Sequence, residues 1–417
     1  MNYYESLGIS GETIKLFSDA KAAAAEAFAR IDETASYNAA KVLSAFKNNG
    51  VSEAHFAPTT GYGYDDLGRD TLEKIYAEIF SCGDSLVRHT ITCGTHALAL
   101  CMYGVLRPGD TLLCVTGKPY DTLEESIMGD GVGSLREFGI GYACVDLKPD
   151  GTPDFNAISE SVTDSVKAVW IQKSKGYEWR NSLSNGVIGE IVSCVKAKKP
   201  DCICIVDNCY GEFVEKTEPT EVGADLCAGS LIKNLGGGIV KSGGYVAGRE
   251  DLIELASYRL TAPGIGKHVG ASLGHTRDMY YGLFTAPHIV AQCLKTAVLC
   301  SAVLEKLGYE VHPKPNDERF CIIQAAKFLS PEKLVAFIQG IQMGSPVDAS
   351  FLPQPAPMPG YKHKVIMAAG TFVSGSTCEL SADAPIKEPY VGYIQGGINV
   401  ESAELGLMLA VENLKKI

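Results

Sequence analysis

The sequence predicts an α/β protein, with a large domain built on a mostly parallel sheet wrapped by helices and a smaller C-terminal α+β domain. Two patterns carry this prediction. Short apolar runs rich in β-formers alternate with helical segments, which is typical of a parallel sheet covered on both faces. Prolines then cluster from residue 313 onward and indicate a second unit with irregular connections. The strand-like runs lie at 86–92, 111–115, 143–146, 168–172 and 202–207.

The remaining elements follow in chain order. Residues 11–48 are predicted to be helical, because this segment is rich in helix formers. After a Gly- and Tyr-rich loop, Asp70 is expected to cap a helix that ends near Phe80, with Glu73 completing a capping box. Further predicted elements are a helix at 97–105 opened by 94–96, a strand at 243–248, a helix at 289–307, a strand at 390–395 and a helix at 401–414.

Length and composition restrict the class of protein. At 417 residues the chain has room for two or three domains, and we expect an N-terminal helical arm at 1–55, a large domain at 56–288 and a small domain at 289–417. The net charge of −12 argues against nucleic-acid or membrane partners. Fourteen cysteines without a Cys-x-x-Cys pair favour a reduced cytoplasmic protein without disulfides or a metal site. The first ten residues lack the pattern of a signal peptide.

An aspartate and a lysine form the most informative pair in the chain. Asp207 stands at the carboxyl end of the run at 202–207, and Lys233 follows 26 residues later, three residues after Ser230. Pyridoxal 5'-phosphate (PLP) needs a carboxylate against its pyridine nitrogen and a lysine amine for its Schiff base. Either residue alone is more often a helix cap or a solvated side chain. The ordered pair with Ser230 favours a PLP site.

Other candidate site residues lie in loops that follow predicted strands. Gly94, Thr95 and His96 open a helix whose N–H groups would hold a phosphate together with the Ser230 hydroxyl. Tyr120 follows the run at 111–115, where its ring would stack on the cofactor and its hydroxyl would protonate a leaving group. An ordinary helix cap and a packed tyrosine are the plain alternatives.

Two further segments carry weaker indications. The loop at 62–66, which contains Tyr64, is too polar and glycine-rich for a core. Arg180 follows the run at 168–172 and is a candidate for clamping an amino-acid carboxylate through a bidentate pair, although a structural ion pair is the commoner role of an arginine. The glycine runs at 236–238 and 243–244 do not form the G-x-G-x-x-G pattern of a dinucleotide site.

With these residues in view, the chain resembles the fold-type I PLP enzymes of the cystathionine and methionine γ-lyase group. It is most similar to their bacterial branch, the methionine γ-lyase-like or "aluminium resistance" proteins. The resemblance covers nearly the whole chain and implies a PLP-dependent transferase-like fold. The segments that carry it are 61–70, 94–97, 172–177 and 260–266.

The resemblance also implies roles for the candidate residues. Lys233 would carry the internal aldimine, Asp207 would pair with the pyridine nitrogen and Tyr120 would stack on the ring. Gly94, Thr95 and Ser230 would hold the phosphate. Tyr64 falls where the γ-lyases place a tyrosine that reaches the phosphate of a neighbouring subunit, which implies a homodimer or a tetramer with shared active sites.

Two positions depart from the γ-lyase pattern. Where the γ-lyases have an arginine two residues after that tyrosine, this chain has Asp66, so that Arg69 or Arg259 becomes the candidate for a second phosphate contact. The γ-lyases bind the substrate carboxylate through an arginine on a C-terminal strand. The corresponding segment at 390–397 has none, and no arginine follows Arg319.

The sequence therefore predicts a cytoplasmic PLP-dependent carbon–sulfur lyase that acts on a sulfur amino acid. Its α,γ-elimination would give a thiol, a 2-keto acid and ammonia. Alternatives with the same cofactor are β-elimination, γ-replacement or an aldolase or decarboxylase reaction. An alternative of another class is a non-catalytic metal-tolerance protein, which the absence of metal-ligand spacing disfavours.

Overall fold

Two β-sheets organise the protein in a computed structural model, which describes residues 3–358 and 361–417. The strands of the larger sheet are β1 (Asp84–Arg88), β2 (Thr111–Cys114), β3 (Gly141–Cys144), β4 (Val166–Gln172), β5 (Ile203–Asp207), β6 (Leu226–Ser230) and β7 (Gly244–Gly248). Those of the smaller sheet are β8 (Glu310–His312), β9 (Gln324–Lys327), β10 (Val365–Ala368), β11 (Ser381–Pro385) and β12 (Val391–Gln395).

The larger sheet has the strand order β1-β7-β6-β5-β4-β2-β3. The strands from β6 to β3 are parallel to one another, whereas β7 is antiparallel to both of its neighbours. The predicted α/β class with a mostly parallel sheet is thus confirmed. The smaller sheet has the order β10-β11-β12-β9-β8 and is antiparallel throughout.

Helices surround both sheets. Short 3-10 helices lie at Glu53–Phe56, Pro219–Val222, Asn234–Gly236 and Gly266–His268. The α-helices are α1 (Tyr3–Ser6), α2 (Gly11–Ala23), α3 (Ala25–Asn48), α4 (Leu67–Ile79), α5 (Gly94–Val105), α6 (Asp121–Met128), α7 (Phe155–Ser161), α8 (Asn185–Lys198), α9 (Glu250–Leu260), α10 (Thr276–Lys306), α11 (Pro331–Met343) and α12 (Val400–Leu414).

The larger sheet is buried on both faces, as its apolar strands require. In β5, Ile203 and Ile205 face one apolar cluster with α5 and α9, whereas Cys204 and Val206 face another cluster with α4, α8 and α10. Each fully buried aliphatic side chain of this kind stabilises the fold by roughly 1.5–3 kcal/mol. The sheet is therefore a rigid platform, and the loops at its carboxyl edge are free to carry function.

The smaller sheet packs against α10 and α11, and α12 packs against both of these helices. Phe17 of α2 enters the same apolar cluster, and α3 lies along α10. The helices predicted at 11–48 thus exist as α2 and α3. The predicted domain boundaries at 55/56 and 288/289 stay predictions. Residues 1–2 of the predicted N-terminal arm and residues 359–360 of the predicted small domain lie outside the described residues.

The helix predicted at 289–307 begins earlier than expected. It is α10, which starts at Thr276, contains Pro287 and runs through the predicted boundary at 288/289. Proline and glycine disfavour an isolated helix, but burial of most of its length overrides that preference. It is also the one described helix that is long and apolar enough to cross a membrane. Because 83% of its most apolar window is buried inside the protein, this resemblance to a membrane span is weak evidence.

The start of α4 differs from the sequence prediction. The capping residue is Asp66, whose carboxylate accepts a hydrogen bond from the Arg69 N–H at 2.9 Å. Asp70, the predicted cap, lies inside the first turn. Both positions offer an aspartate before a helical pattern, and the tertiary contact of Asp66 with the Thr59 hydroxyl favours the earlier start.

Candidate active site

The candidate active site lies beyond the carboxyl ends of the central parallel strands. Gln172 at the end of β4 is in register with Asp207 at the end of β5, which is in register with Ala228 of β6. Ser230 ends β6, and Lys233 follows in the next turn. Loops at this edge are where open α/β sheets bind ligands.

Lys233 lies half-buried at the centre of this region. Its ammonium nitrogen lies 3.9 Å from the centroid of the Tyr210 ring. Burial acts to lower the pKa of Lys233, but its neighbours Cys209, Tyr210 and Asp207 outweigh burial and raise it well above the usual value. An aromatic face and a carboxylate therefore hold the Lys233 ammonium in a fixed position beside Asp207.

Asp207 provides the carboxylate of the site. It is 3% exposed, and one carboxylate oxygen accepts a hydrogen bond from the Cys209 N–H at 3.1 Å. Burial raises the pKa of Asp207, while the charge of Lys233 and the Cys209 N–H act in the opposite direction. The structure thus brings Asp207 and Lys233 into one buried site.

The N-terminus of α5 meets the end of β6. Helix α5 begins at Gly94, and its capping residue Cys93 provides no side-chain acceptor to the first N–H groups. A Cβ atom on Gly94 would lie 3.2 Å from the Cys209 sulfur and 3.5 Å from the Ser230 Cβ. Because Gly94 has no side chain, backbone donors and the Ser230 hydroxyl approach one another closely, which suits an anion.

Tyr120 contacts the same helix N-terminus. Its hydroxyl lies 3.0 Å from the Thr95 hydroxyl. Burial raises the pKa of Tyr120, and the charge of Asp207 raises it further. His96 points back toward the preceding turn, where its Nδ1 accepts a hydrogen bond from the Thr92 N–H at 3.2 Å. Tyr120 and Thr95 therefore contact each other beside the N-terminus of α5, whereas the His96 ring is held by Thr92; their roles toward a cofactor stay predictions.

The sequence analysis did not identify two residues of the site, Tyr210 and Asp383. Tyr210 has a left-handed backbone conformation, with φ of 71°, and this turn lays its ring over Lys233. Asp383 on β11 accepts a bond from Gln395 at 3.4 Å and faces Lys233. Burial raises the pKa of Asp383 to about 6 although the charge of Lys233 lowers it. Tyr210 lies three residues after Asp207, so it could have been identified from the sequence. Asp383 is not part of a recognisable sequence motif.

Three other predicted residues lie apart from this centre in the same chain. Tyr64 is 61% exposed, and its ring stacks on Tyr62 with centroids 5.6 Å apart. Arg69 donates to the carbonyl oxygens of Gly63 and Gly270 at 2.6 and 2.8 Å. Arg259 donates to the Tyr103 carbonyl oxygen at 2.9 Å. The phosphate contacts suggested for these residues stay predictions.

Arg180 is buried, and all of its nitrogens have internal acceptors. It donates to the Glu178 carboxylate at 2.5 Å and to the carbonyl oxygens of Asn181 and Ser174 at 2.9 and 2.8 Å. Its side chain therefore holds the loop after β4 together. These distances do not test its predicted contact with a substrate carboxylate, which stays a prediction.

The described residues fit PLP. A half-buried lysine amine lies beside a buried carboxylate, and an aromatic ring and an uncapped helix N-terminus stand beside them. Lys233 would bind the aldehyde carbon, Asp207 the ring nitrogen and Tyr120 the ring face. Gly94, Thr95 and Ser230 would bind the phosphate. Within the described residues no three His, Cys, Asp or Glu side chains cluster in a way that would hold a metal ion.

Comparisons with known proteins agree with this geometry. The sequence profile described as methionine gamma-lyase matches residues 13–415. The chain is 50% identical over 388 residues to the uncharacterized protein YnbB of Bacillus subtilis strain 168, and the match covers 92% of each protein.

Two solved structures share the whole fold. One is a carbon-sulfur lyase involved in aluminum resistance from Clostridium novyi NT, which is 47% identical, with 98% of this chain and 97% of that chain covered and a TM-score of 0.95. The other is described as a candidate cystathionine beta-lyase involved in aluminum resistance from Listeria monocytogenes. It is 49% identical, with 96% and 99% covered and a TM-score of 0.94.

Proposed function

Because the chain belongs to the methionine gamma-lyase family and is a PLP-dependent lyase, we propose that it cleaves the carbon–sulfur bond of a sulfur amino acid by α,γ-elimination. With methionine, the balanced reaction consumes water and gives methanethiol, 2-oxobutanoate and ammonia. The observation that supports the proposal is that Asp207 at the end of β5 and Lys233 after β6 lie together beyond the strand ends, with the Tyr210 ring over the Lys233 amine.

The side chains of the site have distinct tasks in this reaction. When bound, PLP supplies an electron sink for the charge that develops at the substrate Cα. Lys233, once its amine is free, takes the Cα proton and moves a second proton from Cβ. Asp207 keeps a proton at the ring nitrogen. Tyr120 donates a proton to the leaving thiolate, and its raised pKa keeps the hydroxyl protonated at neutral pH.

We also propose that the enzyme is a cytoplasmic homodimer or homotetramer with shared active sites. Tyr62 and Tyr64 support this proposal, because they are 75% and 61% exposed and form a stacked aromatic pair on one loop. In this arrangement Tyr64 contacts the phosphate of the neighbouring copy. A fully active monomer in light-scattering measurements would contradict the proposal.

The absorbance of the purified protein tests the cofactor assignment. We expect a visible band from the lysine-bound cofactor in the wild type and its loss in Lys233→Ala, because among the described residues Lys233 is the lysine that acts on Asp207. Lys241→Ala is the matched control, since Lys241 is 71% exposed and forms a surface ion pair with Asp278. A band that persists in Lys233→Ala would refute the assignment.

A substrate panel separates the lyase reactions. Methionine, cystathionine, homocysteine and threonine are incubated with the enzyme, and thiol, keto acid and ammonia are measured. Thiol with 2-oxobutanoate from methionine supports α,γ-elimination. The second candidate is β-elimination, which is favoured by the description of the Listeria monocytogenes relative. It would give pyruvate, homocysteine and ammonia from cystathionine.

A further inference from the structure

A set of buried polar residues lies next to the two turns that carry Asp207 and Lys233. Its members, each at most 1% exposed, are Asn208, Glu212, Asn234 and Tyr245, and we term them the buried connection. Asn208 directly follows Asp207, and Asn234 directly follows Lys233. The two ends of the buried connection therefore stand beside the two charged residues of the candidate site.

Hydrogen bonds join the four residues of the buried connection. Asn208 Nδ2 donates to the Tyr245 hydroxyl at 3.3 Å, and this hydroxyl donates to Glu212 Oε1 at 3.0 Å. Asn234 Nδ2 donates to the Glu212 carbonyl oxygen at 2.9 Å. A continuous path thus runs from the turn after β5 to the turn after β6, and Tyr245 and Glu212 form its middle.

Strand β6 packs directly against the middle of the buried connection. Gly229 on β6 is in register with Tyr245 on β7. A Cβ atom on Gly229 would lie 2.5 Å from Glu212 Oε1 and 2.7 Å from Tyr245 Cε1. A side chain at this position would displace both residues, so glycine gives them the space to meet one residue before Ser230.

The surroundings of Glu212 favour its neutral acid form. Burial raises the pKa of Glu212 to about 8, and the nearby Glu218 carboxyl adds to this rise, although the Tyr245 hydroxyl and the charge of Lys233 oppose it. Glu212 Oε2 has no hydrogen-bond partner among the described residues, and an unpartnered hydroxyl costs less than an unpartnered anionic oxygen. At neutral pH Glu212 is therefore mainly protonated.

The other ionisable groups around Glu212 do not change this conclusion. They are Lys233, Glu218, Tyr76 on α4, Cys209, Cys227 on β6, Tyr245 and Cys378. Burial raises the pKa of each of these tyrosines and thiols, so they are neutral at pH 7. Among these groups Lys233 is the cation, and its charge is already opposed by Asp207.

We propose that Glu212 and Tyr245 are positioning residues that fix the distance between Asp207 and Lys233. The proposal rests on the proposed function, in which Asp207 meets the ring nitrogen and Lys233 the aldehyde carbon of one rigid cofactor. Because these two cofactor atoms have a fixed separation, a small relative shift of the two turns impairs both contacts. A fully buried, hydrogen-bonded connection between the turns prevents such a shift.

Four variants test the proposal. Glu212→Gln keeps the shape of the acid form, Glu212→Leu removes the acceptor, and Tyr245→Phe removes the donor of the same hydrogen bond. The fourth variant combines Glu212→Leu with Tyr245→Phe. Tyr280→Phe is the matched control, because Tyr280 is also buried and its hydroxyl donates to the Gly68 carbonyl oxygen at 2.9 Å.

The cofactor-loaded enzyme provides the first set of measurements. We expect Glu212→Leu and Tyr245→Phe each to weaken PLP binding by at least about 10-fold and to lower kcat by about 10-fold to 100-fold. The pH midpoint of the visible band should shift, because the Lys233 nitrogen then lies at a different distance from the Asp207 charge. KM should change by less than about threefold, since neither residue is proposed to contact the substrate.

The remaining variants separate positioning from a general loss of structure. Glu212→Gln and Tyr280→Phe should stay within about twofold of the wild type in PLP binding and kcat. The double variant should lose no more than the more affected single variant, because both substitutions break the same connection. Where Glu212→Leu does not fold, Tyr245→Phe decides alone, since it removes a single oxygen atom.

Three outcomes would overturn the proposal. They are an unchanged kcat and band midpoint in Tyr245→Phe, a loss in Glu212→Gln as large as that in Glu212→Leu, and independent losses that multiply in the double variant. Urea midpoints of the cofactor-free variants provide a second cycle that uses no cofactor, and we expect the same non-additivity there. If Lys233→Ala kept the visible band while this second cycle still showed coupling, the proposed function would fail and the buried connection would stand.

Discussion

The two sheets supply different kinds of groups to the site. From the larger sheet come Asp207 at the end of β5 and Lys233 in the turn after β6, and these two charges compensate each other. From the smaller sheet comes Asp383 in the middle of β11, whose carboxylate has one long hydrogen bond to Gln395.

The two sheets therefore contribute to the site in different ways. The larger sheet holds a set of groups that fits one heteroaromatic cofactor, and the smaller sheet adds the charge of Asp383. A polar group that is satisfied in the resting protein should cost stability when it is removed. An unsatisfied buried charge should instead give stability when it is removed and cost ligand binding.

The largest effect should come from the larger sheet. Tyr120→Phe should reduce kcat for thiol release by about 100-fold to 10,000-fold, because the hydroxyl that donates the proton is lost. The visible band should remain, since the ring face is retained. Steady-state kinetics and absorbance check both parts. Tyr37→Phe, which alters a half-exposed tyrosine on α3, should leave both unchanged. A kcat close to the wild-type value would move the proton donor elsewhere.

An intermediate effect is expected at Asp383 on the smaller sheet. Its folded-state pKa of about 6 lies above the value of 3.8 for a free aspartate, so its contribution to stability falls as the pH rises through this range. Asp383→Asn resembles the protonated form. In the cofactor-free protein it should therefore gain stability relative to the wild type above pH 6, on the order of 2–3 kcal/mol.

Urea midpoints measured from pH 4 to pH 8 check the effect at Asp383. Asp19→Asn on the exposed face of α2 serves as the control and should show no such trend. If Asp383→Asn lost stability at pH 8, Asp383 would be a satisfied partner of Lys233. The contrast between the two sheets would then fail.

The smallest effect is expected at Asp66, a carboxylate that already accepts a hydrogen bond at the start of α4. Asp66→Ala removes the cap of α4 and should cost about 1–2 kcal/mol of unfolding free energy. Asp70→Ala removes only a half-exposed ion pair with Arg69 and should cost about 1 kcal/mol or less. Urea unfolding of both variants checks the order. The reverse order would restore Asp70 as the cap.

The sequence predicted the larger sheet well for a physical reason. Strands that are buried on both faces must be continuously apolar, and β4 and β5 show this directly. The ends of such strands are visible as the first polar residue, which is how Asp207 was found. The start of α10 was missed, because Pro287 and Gly282 weaken the local helical pattern and only tertiary burial reveals it.

Local sequence patterns could not predict the remaining residues of the site. Asp383 lies in the half-polar strand β11, and its direction follows from register with Tyr393 on β12.

The turn at Tyr210 carries a wider consequence. A bulky residue with φ of 71° is in a conformation that ordinarily costs on the order of 1–3 kcal/mol and that glycine or asparagine would adopt more readily. The turn at the tip of β5 therefore stores strain in the folded protein while it keeps the Tyr210 ring over Lys233, so attempts to raise the thermal stability of this enzyme should leave Tyr210 unchanged.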